Sequence, residues 1–137
     1  LAPTDETRYS VMSNGELRDS ALKIAGEVRA YAQESNIQER QLSDSYMTQM
    51  RNATTEEDRN RVWHEMTARI IQDSFEMNAT YDKKYKISAS LLRDELIRRL
   101  PESYSDKKHA LYYEHPTNML GMVEVADDLE KLARSLR

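Results

Sequence analysis

Cysteine is absent from this chain, which removes three kinds of chemistry at once. There is no disulfide framework, no thiol nucleophile and no thiolate zinc site. Glycine and proline are nearly as scarce, at 3 each in 137 residues. No glycine-rich phosphate loop and no Gly-x-Ser-x-Gly nucleophile elbow can be found. With so few breakers, long uninterrupted helices are expected. Long apolar runs are missing too: none approaches the ~20 residues that a helix needs to cross a bilayer.

Charge of a single sign is also lacking. Acids number 24 and bases 20, for a net charge of -4, and the signs are interleaved. The densest basic clusters, Lys83, Lys84 and Lys86 and then Arg93, Arg98 and Arg99, lie beside Asp82, Asp94 and Glu95. Binding a phosphate backbone requires a concentrated basic surface, so nucleic acid is not an expected partner. The composition is 39% hydrophobic and 32% charged. Ordinary globular domains hold roughly 45–50% and ~25%, so a thin, elongated bundle with little interior per residue is expected. The length suits one domain.

Helical stripes fill most of the chain. Residues 1–12 read as a lead-in tail, and 13–137 as a single helical bundle domain. Ser13 and Asn14 offer N-cap oxygens, with Glu16 near the positive end of the helix dipole. Leu17, Ala21, Ile24, Val28 and Ala32 then form an amphipathic stripe. The stripe fades into a polar waist at Ser35–Gln41, where Asn36 and Glu39 have the form of a capping box. Lacking Gly or Pro, the helix is expected to run on to Asn52, with Leu42, Tyr46 and Met50 restoring its apolar face.

Thr54 and Thr55 before Glu56, Glu57 and Asp58 form the clearest helix start, and Pro101 supplies the stop. Between them runs a seam of Trp63, Met66, Ile70, Ser74, Met77, Tyr81, Tyr85, Ser88, Leu92 and Leu96. Its spacing follows an eleven-residue period, about 3.67 residues per turn, which suits nearly straight packing. Asn78 to Ser90 is its weakest stretch, because Asn, Thr, Ser and Ile lower helix propensity. A short helix from Ser103 or Ser105 to Tyr113 ends at His115-Pro116. Thr117 or Asn118 then caps a last helix using Leu120, Val123, Ala126, Leu129, Leu132, Ala133 and Leu136. The expected fold is all-α: an elongated antiparallel hairpin of two long helices plus two shorter C-terminal helices, in an up-and-down bundle.

No catalytic residue, metal ligand or cofactor site is nominated. Helical metal sites favour Glu-x-x-His pairs, and the nearest approach is Asp106-x-x-His109. Adjacent carboxylates such as Asp127-Asp128 face different directions on a helix and do not converge on one substrate atom. Tyrosine is the conspicuous residue, with 8 copies against one Phe and one Trp. Tyr81, Tyr85 and Ser88 on the seam, with Tyr112 and Tyr113 before the His-Pro break, are the candidate ligand-binding residues. The competing reading is structural: each ring fills the bundle while its hydroxyl reaches water or a carbonyl. Ser74, Ser88 and the polar waist thin the packing and are expected to leave a cavity or a seat for a partner helix.

The segments Leu91-Leu92-Arg93-Asp94-Glu95-Leu96 and Tyr113-Glu114-His115-Pro116-Thr117-Asn118 are the most distinctive in the chain. Its general look, a long hairpin with a capped turn, is similar to extracytoplasmic helical regions of bacterial membrane-anchored proteins and to small bundle adaptors. The chain opens on Leu1 rather than Met. A processed or excised terminus is expected, with a membrane anchor upstream and an extracytoplasmic location; a cytoplasmic one is the alternative. The leading functional expectation is a non-enzymatic interaction module binding a protein partner or itself. A ligand-sensing bundle ranks second, and a metal-dependent enzyme third.

Overall fold

The computed structural model describes residues 7–101, 113, 116 and 118–137 and is all-α over them. Helix α1 spans Asn14–Asn52, α2 spans Glu56–Tyr81, and α3 spans Ile87–Arg99. A π-helical segment, Asp82–Lys86, joins α2 to α3, and α4 spans Met119–Ser135. The short helix expected from Ser103 lies outside the described residues except for Tyr113. No helix among the described residues is long and apolar enough to cross a membrane.

Local chemistry sets the ends. The Ser13 side chain accepts from the Glu16 N–H while Glu16 accepts from the Ser13 N–H, a complete capping box. The Thr55 hydroxyl caps α2 by accepting from the Asp58 N–H at 3.1 Å. Asn118 caps α4 by accepting from the Gly121 N–H at 2.9 Å. Helix α1 is continuous through the polar waist, for 39 residues or about 58 Å. The π segment falls inside the stretch of weakest propensity. A π turn holds an extra residue, which advances the buried row from Ser88 to Ala89 while Leu92 and Leu96 keep their places.

Helix α1 runs antiparallel to the α2–α3 rod and to α4. Arg99 at the end of α3 reaches Tyr9, Ser10 and Asn14, while Asn14 at the start of α1 donates to the carbonyl of Arg137. Further along, Arg29 bridges Asp127 and Glu130, each at 2.8 Å. Helices α3 and α4 therefore both descend, so strict up-and-down alternation does not hold.

Two zones result. At the base, Leu17, Ala21, Ala25, Val28 and Ala32 of α1 meet Ala89, Leu92 and Leu96 of α3. Met122, Val125, Ala126, Leu129, Leu132 and Ala133 of α4 close the same core. The alanines let the backbones approach, and α1 makes its most extensive contact with α4. Gly121 is needed for a similar approach, since a Cβ there would sit 3.1 Å from the Pro116 Cα. Beyond Ala32, α1 has no buried residue, and above Tyr81 only Val62 and Met66 of α2 are buried. The upper half is a two-helix arm.

Three expected core positions move. Ala25 takes the place of Ile24, and Val62 the place of Trp63, which is 53% exposed. Leu120 is 74% exposed, because α4 turns Met122 and Val125 inward instead. Each shift is one or two residues along the helix, about 100° per residue, and only the packing partner's direction selects among them.

Candidate functional site

Of the residues nominated from sequence, Tyr81, Tyr85 and Tyr113 come together and Ser88 opens onto another cleft. Tyr81 is fully buried, and its hydroxyl donates to the Tyr113 carbonyl at 2.8 Å. Tyr113 is buried too; its hydroxyl donates to Asp128 Oδ2 at 2.6 Å, and the Arg93 guanidinium lies 5.5 Å from its ring centroid. Burial pushes both phenols well above their ordinary range, and Asp128 pushes Tyr113 further. Both stay protonated at neutral pH and hold the core together rather than acting as bases. Tyr85 is half-buried, 6.2 Å from the Tyr81 ring and 6.1 Å from Tyr31. Ser88 lines a separate cleft of about 190 Å³ with Arg8, Tyr9, Lys83, Lys84, Ile87 and Leu91. Tyr112, like His109 and His115, lies outside the described residues. No metal-ligating cluster occurs among the described residues.

The thin packing foreseen at the polar layers is present. A groove of about 620 Å³ opens between α1 and α2, where Ser35 and Ser74 leave the helices short of apolar bulk. Its walls carry Tyr31, Leu42, Ile70 and Met77, and its floor ends at Met119 of α4. Glu39, Arg69, Asp73 and Glu76 also line it.

Those charges mark one side of α2. From Val62 to Tyr81 the ionised residues are Glu65, Arg69, Asp73 and Glu76. At 3.6 residues per turn they occupy an arc of about 80°, on the side of the groove. They are internally satisfied at i,i+4: Arg61 holds Glu65 at 3.2 Å, Arg69 holds Asp73 at 3.1 Å, and Gln72 donates to Glu76 at 3.2 Å. The opposite face carries Trp63, Thr67, Ile71 and Phe75 in one i,i+4 row, flanked by Asn60, His64, Ala68, Gln72, Asn78 and Ala79. Trp63, Ile71 and Phe75 are 53%, 52% and 71% exposed. Between Val62 and Tyr81, helix α2 thus carries half-exposed charges along one side of its packed face and exposed, bulky apolar side chains along the other.

Reading Trp63 as the start of the buried seam concealed this ridge. The signal was available: Trp63, Thr67, Ile71 and Phe75 recur every four residues, and between Val62 and Tyr81 the charges lie on another side of the helix. Such features define an all-α bundle with a projecting two-helix arm. No family model matches this chain, and no curated protein or solved structure matches it either.

Proposed function

We propose that this chain is a non-enzymatic helical interaction module whose binding surface is the outer face of α2. The observation that carries this reading is the exposed, uncharged row Trp63–Thr67–Ile71–Phe75. A surface helix ordinarily keeps its large apolar side chains on its packed face. Aromatic side chains dominate interface energetics, and depletion of charge marks the centre of an interface. A face without cations also offers nothing to a phosphate backbone or an anionic lipid surface.

The test is photo-crosslinking in extract from the chain's native source. A photoreactive phenylalanine analogue placed at Phe75 is expected to give discrete protein adducts, and the same probe at Glu65 is not. Equal labelling from both positions, or none from Phe75, would remove the support for this reading.

The groove favours a second reading, a ligand-sensing bundle. Its volume falls within the ~300–1,000 Å³ of small-molecule sites, and it mixes apolar walls with polar groups. A specific ligand at 100 times its dissociation constant adds about 2.7 kcal/mol to stability. That should raise the melting temperature by about 5–10 °C in a metabolite panel. The rise is expected to vanish in Ser74→Trp, which fills the groove. A flat panel with working controls would dispose of the sensing reading and leave the α2 surface untouched.

A further inference from the structure

We infer that the occupant of the α2 face is a second copy of this chain, docked across a two-fold axis between Thr67 and Ile71. This rests on the interaction reading and specifies its partner. Three observations favour a like partner.

The first is electrostatic. The chain carries a net charge of -4, so a contact between two copies adds least to their repulsion where the meeting surfaces hold no charge of their own. The α2 face meets that condition over about 18 Å, from Trp63 to Phe75. A basic, acidic or phosphorylated partner would leave its own charges without partners against this face, at a desolvation cost. A partner that matches must bring an uncharged apolar helix face of similar length. Among the described residues this chain supplies one: α2 itself. The outer faces of α1 and α4 are broken by charges, at Lys23, Glu27 and Arg40 and at Glu124, Asp127 and Lys131 respectively.

The second observation is geometric. Side chains at i,i+4 form the ridge that interdigitates in the commonest helix crossing. The Trp63–Thr67–Ile71–Phe75 ridge has four members, and its midpoint lies between Thr67 and Ile71. Thr67, the small member beside the crossing point, lets two helices approach, and its hydroxyl is already used on the Trp63 carbonyl at 2.9 Å. With the axis at that midpoint, antiparallel pairing sets Trp63 of each copy beside Phe75 of the other and Thr67 beside Ile71. The patch is therefore self-complementary, as a two-fold interface requires.

The third is area. Aromatic side chains present ~150–250 Å² each, so three half-exposed large side chains and their uncharged neighbours supply on the order of 500 Å² per copy. That total, about 1,000 Å², sits at the low end of specific interfaces. An area of that size suits a reversible dimer rather than an obligate one.

The experiment uses the full chain. Sedimentation equilibrium should show a mass near one chain, 16.0 kDa, at the lowest loading and approach twice that as concentration rises past the dissociation constant. Ile71→Asp and Phe75→Asp should each weaken dimerisation at least tenfold. Both positions are more than half exposed, so the helical circular dichroism and melting temperature of the variant monomers should match the parent. Because the chain has no cysteine, Thr67→Cys and Ile71→Cys chains give single-site probes that can be mixed. At an interaxial distance of ~8–10 Å, facing Cα atoms at the crossing lie about 4–5 Å apart, within disulfide reach. Thr67→Cys mixed with Ile71→Cys should oxidise to a covalent heterodimer, and Glu65→Cys, on the opposite side, mixed with Ile71→Cys should not. A mass of one chain at every concentration would overturn the inference, as would a dimer indifferent to Ile71→Asp and Phe75→Asp, or equal cross-linking of Ile71→Cys to positions 65 and 67. The two proposals fail separately. If purified chain stays monomeric while Phe75 captures a different protein in extract, the second copy is wrong and the surface is right; if Phe75 captures nothing in either setting, both fall.

Discussion

Tyr81→Ala is expected to destabilise the protein by about 3–5 kcal/mol, the range for emptying a fully buried aromatic site. At roughly 3–5 °C per kcal/mol for a domain of this size, the melting temperature should drop by ten degrees or more. Tyr81 stands where the arm meets the three-helix base, with no exposed surface, and its ring contacts Tyr85, which contacts Tyr31 of α1. Its hydroxyl supplies the hydrogen bond to the Tyr113 carbonyl. Tyr81→Phe separates the two contributions. It keeps the ring and removes that donor, so a cost of about 1–3 kcal/mol is expected. Thermal melts by circular dichroism check both. If Tyr81→Phe melts with the parent, the hydroxyl contributes nothing net and this account of the junction is wrong.

Glu95→Ala should cost about 3 kcal/mol, because it takes the anion from a nearly buried ion cluster and leaves the cation behind. Glu95 is 7% exposed and accepts from Arg98 and from Arg99 Nε, the latter at 2.9 Å. The same Arg99 donates to the carbonyls of Tyr9 and Ser10 and to Asn14. Losing Glu95 therefore loosens the strap that holds the chain start against the base. The hydrogen bond from Arg98 lowers the Glu95 pKa most; burial opposes it, and the Arg99 bond lowers it again, for a net value below the ordinary 4.5. A carboxylate with a depressed folded-state pKa stabilises fully above its unfolded value, and that contribution is lost as pH falls through the folded value. Glu95→Gln should therefore be clearly less stable than the parent at pH 7. Its deficit should shrink steadily below about pH 4.5 as the parent's carboxylate takes up its proton. Urea unfolding at several pH values measures this. A deficit independent of pH would mean that the Glu95 charge is not what the cluster uses.

Much of this architecture is local and was legible. The hydroxyl-plus-acid starts at Ser13 and Thr55 act within one turn, so their chemistry can be read without knowing what packs nearby. The absence of Gly and Pro between Gly26 and Pro101 keeps the helices long, and the run of weaker helix formers from Asn78 to Ser90 marks where the rod admits a π turn. The groove at Ser35 and Ser74 follows from small polar residues standing where a seam wants bulk.

The candidate site was harder to read because a stripe shows which residues share a face and not which face meets a neighbour. Helix α2 bears two stripes, the Val62–Met66–Met77–Tyr81 seam and the Trp63–Ile71–Phe75 ridge, only about 100° apart where they begin at Val62 and Trp63. Reading them as one hid the second. The tyrosines were ambiguous for a related reason. A seam tyrosine can line a ligand site or fill a core, and the outcome turns on whether another helix lies above it. Helix α4 starts beside the groove at Met119 and covers the base below it, so Tyr113 and Tyr81 are enclosed while Tyr31 keeps a groove-facing surface.

Sequence alone determined the helices, their caps, the hairpin and the want of catalytic groups to nominate, because propensity, capping and composition act over a few residues. Only tertiary structure decided that α4 packs along the alanine track of α1, that α3 and α4 descend together, and that the arm stands uncovered. Those outcomes depend on which surfaces meet across many residues of separation. Backbone approach at Ala21, Ala25 and Gly121 settles that meeting, and no local pattern records it.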